Sequence, residues 1–211
     1  SEQFRKPFEK ISEYLNFIDK QKTRSMFEKV DLILREGAAS FVDRHTVQVG
    51  DRKVTAKRIY ISTGTRPMIP PIPGVEDVDY LTNENIFELD EIPASLTILG
   101  GGAIGTEMAQ AFSRLGCKTT IVHMDPHLVP AGDEAPANFL QTQLEKGGVT
   151  VYNSRRAEKV ENTEDGRILL TTDKGETIVS EKLLIAAGRK MDFSGLELEN
   201  AGVKYDNKGI K

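Results

Sequence analysis

The sequence predicts an α/β fold, a parallel sheet with flanking helices plus a small antiparallel β-meander. Three observations predict it. Residues 96–123 read as strand, glycine turn, helix and strand: Leu96-Thr97-Ile98-Leu99, then Gly100-Gly101-Gly102-Ala103-Ile104-Gly105-Thr106-Glu107, a helical run to Leu115, and a β-rich run ending at His123. A second helical segment and the alternating Val149-Thr150-Val151-Tyr152 extend this to β-α-β-α-β, the doubly wound unit. Further on, Asp165-Gly166 and Lys174-Gly175 separate three β-rich runs, the mark of two successive hairpins.

Taken in order, the chain opens with Phe4, Phe8, Ile11, Leu15 and Ile18 at helical spacing, continued by Met26, Phe27 and Val30. This predicts a helix over 4–30 packed on a core. Short strands are expected at 31–35 and 39–42, a hairpin at 46–49 and 53–55 around Gly50-Asp51, and a strand at 58–62 that stops at Thr63-Gly64-Thr65. Pro67, Pro70, Pro71 and Pro73 then stiffen the chain into an extended form and mark a domain boundary. A short helix is expected near 83–88, and Pro93 sets up the strand at 96. Asp133 stands where it caps a helix that carries Phe139, Leu140 and Leu144 inward and ends at Gly147-Gly148. The meander follows at 157–161, 167–172 and 176–179, then a buried strand at 183–187 stopped by Gly188-Arg189. Residues 196–211 show no closing element.

The glycines at 100, 102 and 105 fit G-x-G-x-x-G in the strand–helix context that gives the pattern meaning. Gly100 allows a tight turn out of the strand. Gly102 has no Cβ, so a pyrophosphate can approach the backbone. Gly105 lets the helix pack close to the sheet. The free amides and positive dipole end of that helix then face the phosphates. The sheet is accordingly read as Rossmann-like.

Composition narrows the alternatives. A net charge of −4 and a pI near 5.5 exclude a nucleic-acid partner, which requires a basic surface. No apolar run of about 18 residues is present, so no membrane span is expected. Cys117 stands alone, which excludes an internal disulfide and a cysteine cluster; between helix and strand it reads as a buried, inert thiol. The first residues do not resemble a signal peptide, and the cytoplasm is the expected compartment. His123 and His127 lack a third ligand, so no metal is expected.

Four stretches in order, Ile61-Ser62-Thr63-Gly64, Ile69-Pro70-Pro71-Ile72-Pro73-Gly74, Ile98 to Glu107 and Ala186-Ala187-Gly188-Arg189, resemble the flavoprotein disulfide reductases. That family includes dihydrolipoamide dehydrogenase, glutathione reductase and mercuric reductase. The resemblance implies FAD and a nicotinamide nucleotide, NAD or NADP, with hydride passing from NAD(P)H to flavin. It implies that Gly100, Gly101, Gly102, Ala103, Ile104 and Gly105 hold the pyrophosphate turn, with Glu107 near the nicotinamide and its ribose. Ala157 lies by the adenine, Gly188 passes close to the nucleotide, and Thr63 and Gly64 lie on the flavin side of a domain crossing. Residues 1–73 are then a remnant of the FAD-binding domain, 74–187 the NAD(P)-binding domain, and 188–211 a return towards the first.

The departures are equally specific. The family's N-terminal G-x-G-x-x-G and its redox cysteine pair are absent, and its dimerisation domain, through which the parent would form a homodimer, would lie past Lys211. The chain therefore reads as the middle of a longer protein. At 123 − 100 = 23 residues past the first glycine, where an acid commonly binds the adenine ribose, stands His123. Neutral, it can bond the ribose; protonated, it favours a phosphate. Asp125 favours NAD, whereas Arg155 and Arg156 could hold a phosphate, so the nucleotide stays open between NAD and NADP. Two further readings stand beside this one: a stand-alone NAD-dependent dehydrogenase, and a non-catalytic NAD(H)-sensing module.

Overall fold

The computed structural model describes residues 7–211; Phe4 of the expected first helix lies outside them. Helix α1 spans Pro7–Ile18, widens into a π turn at Asp19–Thr23 and ends in a single turn, α2, at Arg24–Met26. Strands β1 (Ala39–Asp43), β2 (Thr46–Val49) and β3 (Arg52–Thr55) follow, then β4 (Thr65–Pro67) and β5 (Tyr80–Leu81). Strand β6 (Ser95–Leu99), α3 (Ala103–Arg114), β7 (Lys118–Val122), α4 (Glu134–Lys146) and β8 (Thr150–Tyr152) give the β-α-β-α-β core. The remainder is β9 (Ala157–Asn162), β10 (Ile168–Thr172), β11 (Thr177–Ser180), β12 (Lys182–Ile185), β13 (Arg189–Met191), β14 (Tyr205–Asp206) and β15 (Gly209–Ile210).

By contacts the chain divides into two compact units. Of the described residues, the first holds those up to Ser12 and Pro67–Gly188; the second holds Glu13–Arg66 and Arg189–Lys211. The first is a five-stranded sheet in the order β5-β12-β6-β7-β8, with every pair parallel. Its strands alternate between two buried faces, which is why they read as nearly unbroken apolar runs. Leu96, Ile98, Ile121 and Leu184 join the helix side with Ala109, Phe112 and Leu144. Leu99, Val122, Leu183 and Ile185 join Val160, Ile168 and Leu170 of the antiparallel sheet β11-β10-β9 on the other. The α/β fold class, with its parallel sheet and meander, is thus as expected.

The second unit contains the β1-β2-β3 sheet and two two-stranded pairs, β13-β4 and β14-β15. Phe41 is buried and its amide donates to the Leu196 carbonyl at 2.8 Å, while Asn200 donates to the Phe41 carbonyl at 2.8 Å. Residues 196–211, expected to lack a closing element, therefore carry a 3-10 turn at Leu198–Ala201 and a hairpin.

Several local expectations are corrected. Residues 31–35 and 58–62 form no strand. A strand requires a neighbour for its backbone groups, and no described strand pairs with either segment. The helix near 83–88 is only a 3-10 turn at Ile86–Glu88. Helix α1 packs through Phe8 and Ile11, with Phe8 and Phe112 rings 6.3 Å apart, but Leu15 is 58% exposed. On α4, Ala137, Leu140 and Leu144 share the inward face at helical spacing; Phe139 sits off that face and is exposed. Asp133 occupies the N-cap position of α4 but makes no side-chain cap bond.

Candidate functional site

The parallel strands end at a cavity of about 630 Å³ lined wholly by residues of the first unit. It lies where the strand order reverses, since β6 is followed by β7 on one side while β12 returns on the other. Such a switch point opens a crevice beyond the carboxyl ends of the strands.

Each glycine of the turn after β6 meets a different constraint. Gly100 has φ +116, and a Cβ there would stand 2.3 Å from the Ala186 carbonyl oxygen at the end of β12. A Cβ on Gly105 would stand 1.9 Å from the Gly100 carbonyl oxygen, so no side chain fits between the first turn of α3 and the glycine loop. A Cβ on Gly101 would meet Leu128 Cδ2 at 2.5 Å and His123 Cγ at 2.8 Å. Gly102 alone faces open space, with nothing within 4 Å of the same position. It is also the N-cap of α3 and has no side-chain cap, so the first amides of the helix are left to solvent or a ligand.

His123 lines the cavity and is 4% exposed. The Gly101 amide donates to its Nδ1 at 3.0 Å, which fixes the tautomer: Nε2 carries the hydrogen and donates to the His127 carbonyl at 3.1 Å. Burial pushes the imidazole below its ordinary pKa, partly offset by the Asp125 carboxylate 3.5 Å from Nε2. Both ring nitrogens are turned to the protein, so the ring itself is not offered to a ribose. Cys117 is buried and burial pushes its thiol up, as an inert cysteine requires.

The cavity brings together Gly100, Gly101, Gly102, His123, Ala157 and Gly188. Ala103, Ile104 and Gly105 continue into α3 behind the turn, and Glu107 is exposed on the same helix without lining the cavity. Thr63 and Gly64 belong to the second unit. Arg155 lines the cavity but pairs with Glu176 at 2.6 Å, and the Thr172 hydroxyl and Arg155 hold that carboxylate below its usual range. Arg156 is exposed at the cavity, and among the described residues its guanidinium has no partner. Sequence reasoning missed Met68, Pro70, Pro71 and Ile72, which form one wall. The proline run is not a free linker: the Met68 amide donates to the Gly188 carbonyl at 3.0 Å and Val160 donates to Pro73 at 2.9 Å. Its signal was composition alone, which does not tell a wall from a spacer. Among the described residues no group of three or more His, Cys, Asp or Glu could hold a metal ion, and no helix is long and apolar enough to cross a membrane.

A family model described as pyridine nucleotide-disulphide oxidoreductase matches residues 2–211. Among curated proteins, mercuric reductase of Lysinibacillus sphaericus is 36% identical over 186 residues, 87% of this chain and 34% of the relative. Dihydrolipoyl dehydrogenase of Thermus scotoductus is 38% identical over 187 residues, 86% of this chain and 40% of the relative. Among solved structures, the HOCl-induced flavoprotein disulfide reductase RclA from Escherichia coli, in a Cu(II) complex, superposes with a TM-score of 0.87 at 27% identity, over 97% of this chain and 47% of that one. The chain thus spans less than half the length of these relatives.

Proposed function

The chain belongs to the pyridine nucleotide-disulphide oxidoreductase family, and on that premise we propose that residues 67–188 are the NAD(P)H-binding part of a FAD-dependent oxidoreductase. The observation that carries this reading is the open position at Gly102 above the uncapped start of α3. Three of the four glycines in the first turn exclude a Cβ because protein atoms stand there; Gly102 excludes nothing, yet is glycine. A diphosphate placed against that face would meet exposed amides and the positive end of the helix.

In this reading Gly100–Gly105 seat the diphosphate, Ala157 lies by the adenine and Gly188 closes the cavity towards the nicotinamide. Glu107 reaches the nicotinamide ribose, and Thr63 and Gly64 serve the flavin side. FAD bound in the whole protein supplies the hydride acceptor. This chain contributes binding and orientation, which convert hydride transfer into an effectively unimolecular step. The nucleotide is NAD or NADP, and the terminal acceptor is chosen by other parts of the protein.

Calorimetric titration of the purified chain with NAD, NADH, NADP and NADPH tests the reading. Binding of at least one, with no FAD retained, is expected; failure of all four to bind overturns it.

A further inference from the structure

The His123 side chain closes a ring of hydrogen bonds around the glycine turn. Gly101 donates to His123 Nδ1 at 3.0 Å, and His123 Nε2 donates to the His127 carbonyl at 3.1 Å. Two residues further on, the Val129 amide donates back to the Gly101 carbonyl at 2.7 Å. The Gly101 residue is thereby held at both its N–H and its C=O by the segment that follows β7. Val129 sits at φ +49, a left-handed conformation that a β-branched side chain adopts only when its surroundings impose it. The imidazole and Leu128 also fill the space where Gly101 would carry a Cβ.

We propose that neutral His123 is a positioning residue of the nucleotide site: it sets the orientation of the Gly100–Gly101 peptide, and its protonation opens the ring and weakens nucleotide binding. The inference rests on the reading of this cavity as a dinucleotide site. A protonated imidazole has two N–H donors and no acceptor. Nδ1–H would then face the Gly101 N–H, and the amide would lose this acceptor. The groups facing the ring are few. Asp125 stands 3.5 Å from Nε2 and favours the cation, as does the His127 carbonyl, while charge on the His127 ring disfavours it. From the segment after β8, Arg155 donates its amide to the His123 carbonyl at 2.9 Å and keeps its guanidinium on Glu176, with Arg156 at the cavity rim. Tyr152 of β8 meets His123 through the backbone, accepting from its amide at 2.8 Å. The glycine turn and the end of β12 contribute no charge. Burial outweighs Asp125, which keeps the ring neutral near pH 7 and puts the change on the acid side.

The test uses the purified chain and NAD, whose diphosphate does not titrate in the range used, unlike the 2′-phosphate of NADP. Affinity is measured by calorimetry at about pH 8 and about pH 5. The wild type is expected to bind more weakly at the lower pH, by a factor that grows as pH falls through the His123 transition. In His123→Asn, the amide oxygen takes the place of Nδ1; it should keep the affinity seen at high pH and lose the pH dependence. In His123→Gln, the polar end stands at Nε2 and leaves Gly101 unbonded; it should bind about tenfold more weakly at both pH values. Wild-type-like affinity and pH dependence in His123→Gln overturn the proposal. Absence of binding of NAD, NADH, NADP and NADPH alike by the wild type at both pH values overturns the dinucleotide reading instead. The ring is then read without ligand: by nitrogen-15 NMR, the Gly101 amide and the His123 ring should titrate together, and separate titrations overturn it.

Discussion

Gly105 and Gly100 touch so closely that a methyl group on the first would lie 1.9 Å from the carbonyl oxygen of the second. Both belong to backbone that is pinned, since Gly100 donates to the Val122 carbonyl at 2.8 Å and presses against Ala186. Neither the turn nor the helix start can yield alone. Gly105→Ala is therefore expected to cost roughly 3 kcal/mol, the upper part of the overpacking range. For a chain of this size that lowers Tm by roughly 6–12 °C. A Tm unchanged within about 2 °C would show that α3 does not pack this tightly.

Gly102 should behave in the opposite way. Its φ of −74 suits any residue, and its Cβ position is open. Gly102→Ala is expected to fold normally, with a Tm equal to or slightly above wild type because the unfolded chain loses freedom. Its affinity for NAD should fall about tenfold or more, since the methyl group occupies the face offered to a diphosphate. Calorimetry beside a thermal melt separates the two effects. Undiminished affinity would mean that the diphosphate does not lie there.

Helix α1 offers a test of packing. Phe8 is 7% exposed against Phe112, whereas Leu15 is 58% exposed. Phe8→Ala is expected to cost about 3 kcal/mol through lost transfer energy and a cavity. Leu15→Ala should stay within about 0.5 kcal/mol of wild type. Urea unfolding of the two variants checks this, and equal losses would contradict the arrangement.

The strand–glycine–helix core was legible because its signals are local. A turn that needs positive φ at Gly100, a helix that needs a bare Gly105, and strands buried on both faces each write themselves into nearby residues. Residues 58–62 misled because β propensity says nothing about whether a neighbouring strand exists to accept the hydrogen bonds. Phe139 misled because a short helix with apolar residues at adjacent positions does not reveal which face turns inward. His123 was identified by its distance from Gly100, but its role was not. That a ring nitrogen serves the Gly101 amide and not a ribose depends on how the segment to Val129 folds back, which no spacing encodes.

Stability should depend on pH through the same histidine. Burial lowers the His123 pKa in the fold, so the unfolded chain binds more protons between the folded value and the ordinary value of about 6.5. The contribution is fully present above about pH 6.5 and is lost as pH falls towards the folded value. Denaturation midpoints in His123→Asn should therefore vary less between about pH 7 and 5 than in wild type. An identical pH dependence in the two proteins would assign the acid loss to other groups.

NADP differs from NAD by a 2′-phosphate on the adenine ribose. The segments after β7 and β8 adjoin, because the Ser154 amide donates to the Asp125 carbonyl at 3.0 Å. They bring opposite charges to one cavity: the Asp125 carboxylate and the Arg156 guanidinium, which has no partner among the described residues. A 2′-phosphate carries charge that Arg156 would attract and Asp125 repel, while a plain ribose carries no charge for Arg156 and can donate its hydroxyl to Asp125. A charge-assisted bond contributes about 1.5–3 kcal/mol, so Arg156→Ala should weaken NADPH roughly tenfold or more and leave NADH almost unchanged. Asp125→Asn should strengthen NADPH by a smaller factor, because a half-exposed charge is screened. Both effects should shrink as salt is raised, which distinguishes charge from shape. Equal loss of NADH and NADPH in Arg156→Ala would place the guanidinium away from the ribose and leave Arg156 as rim packing.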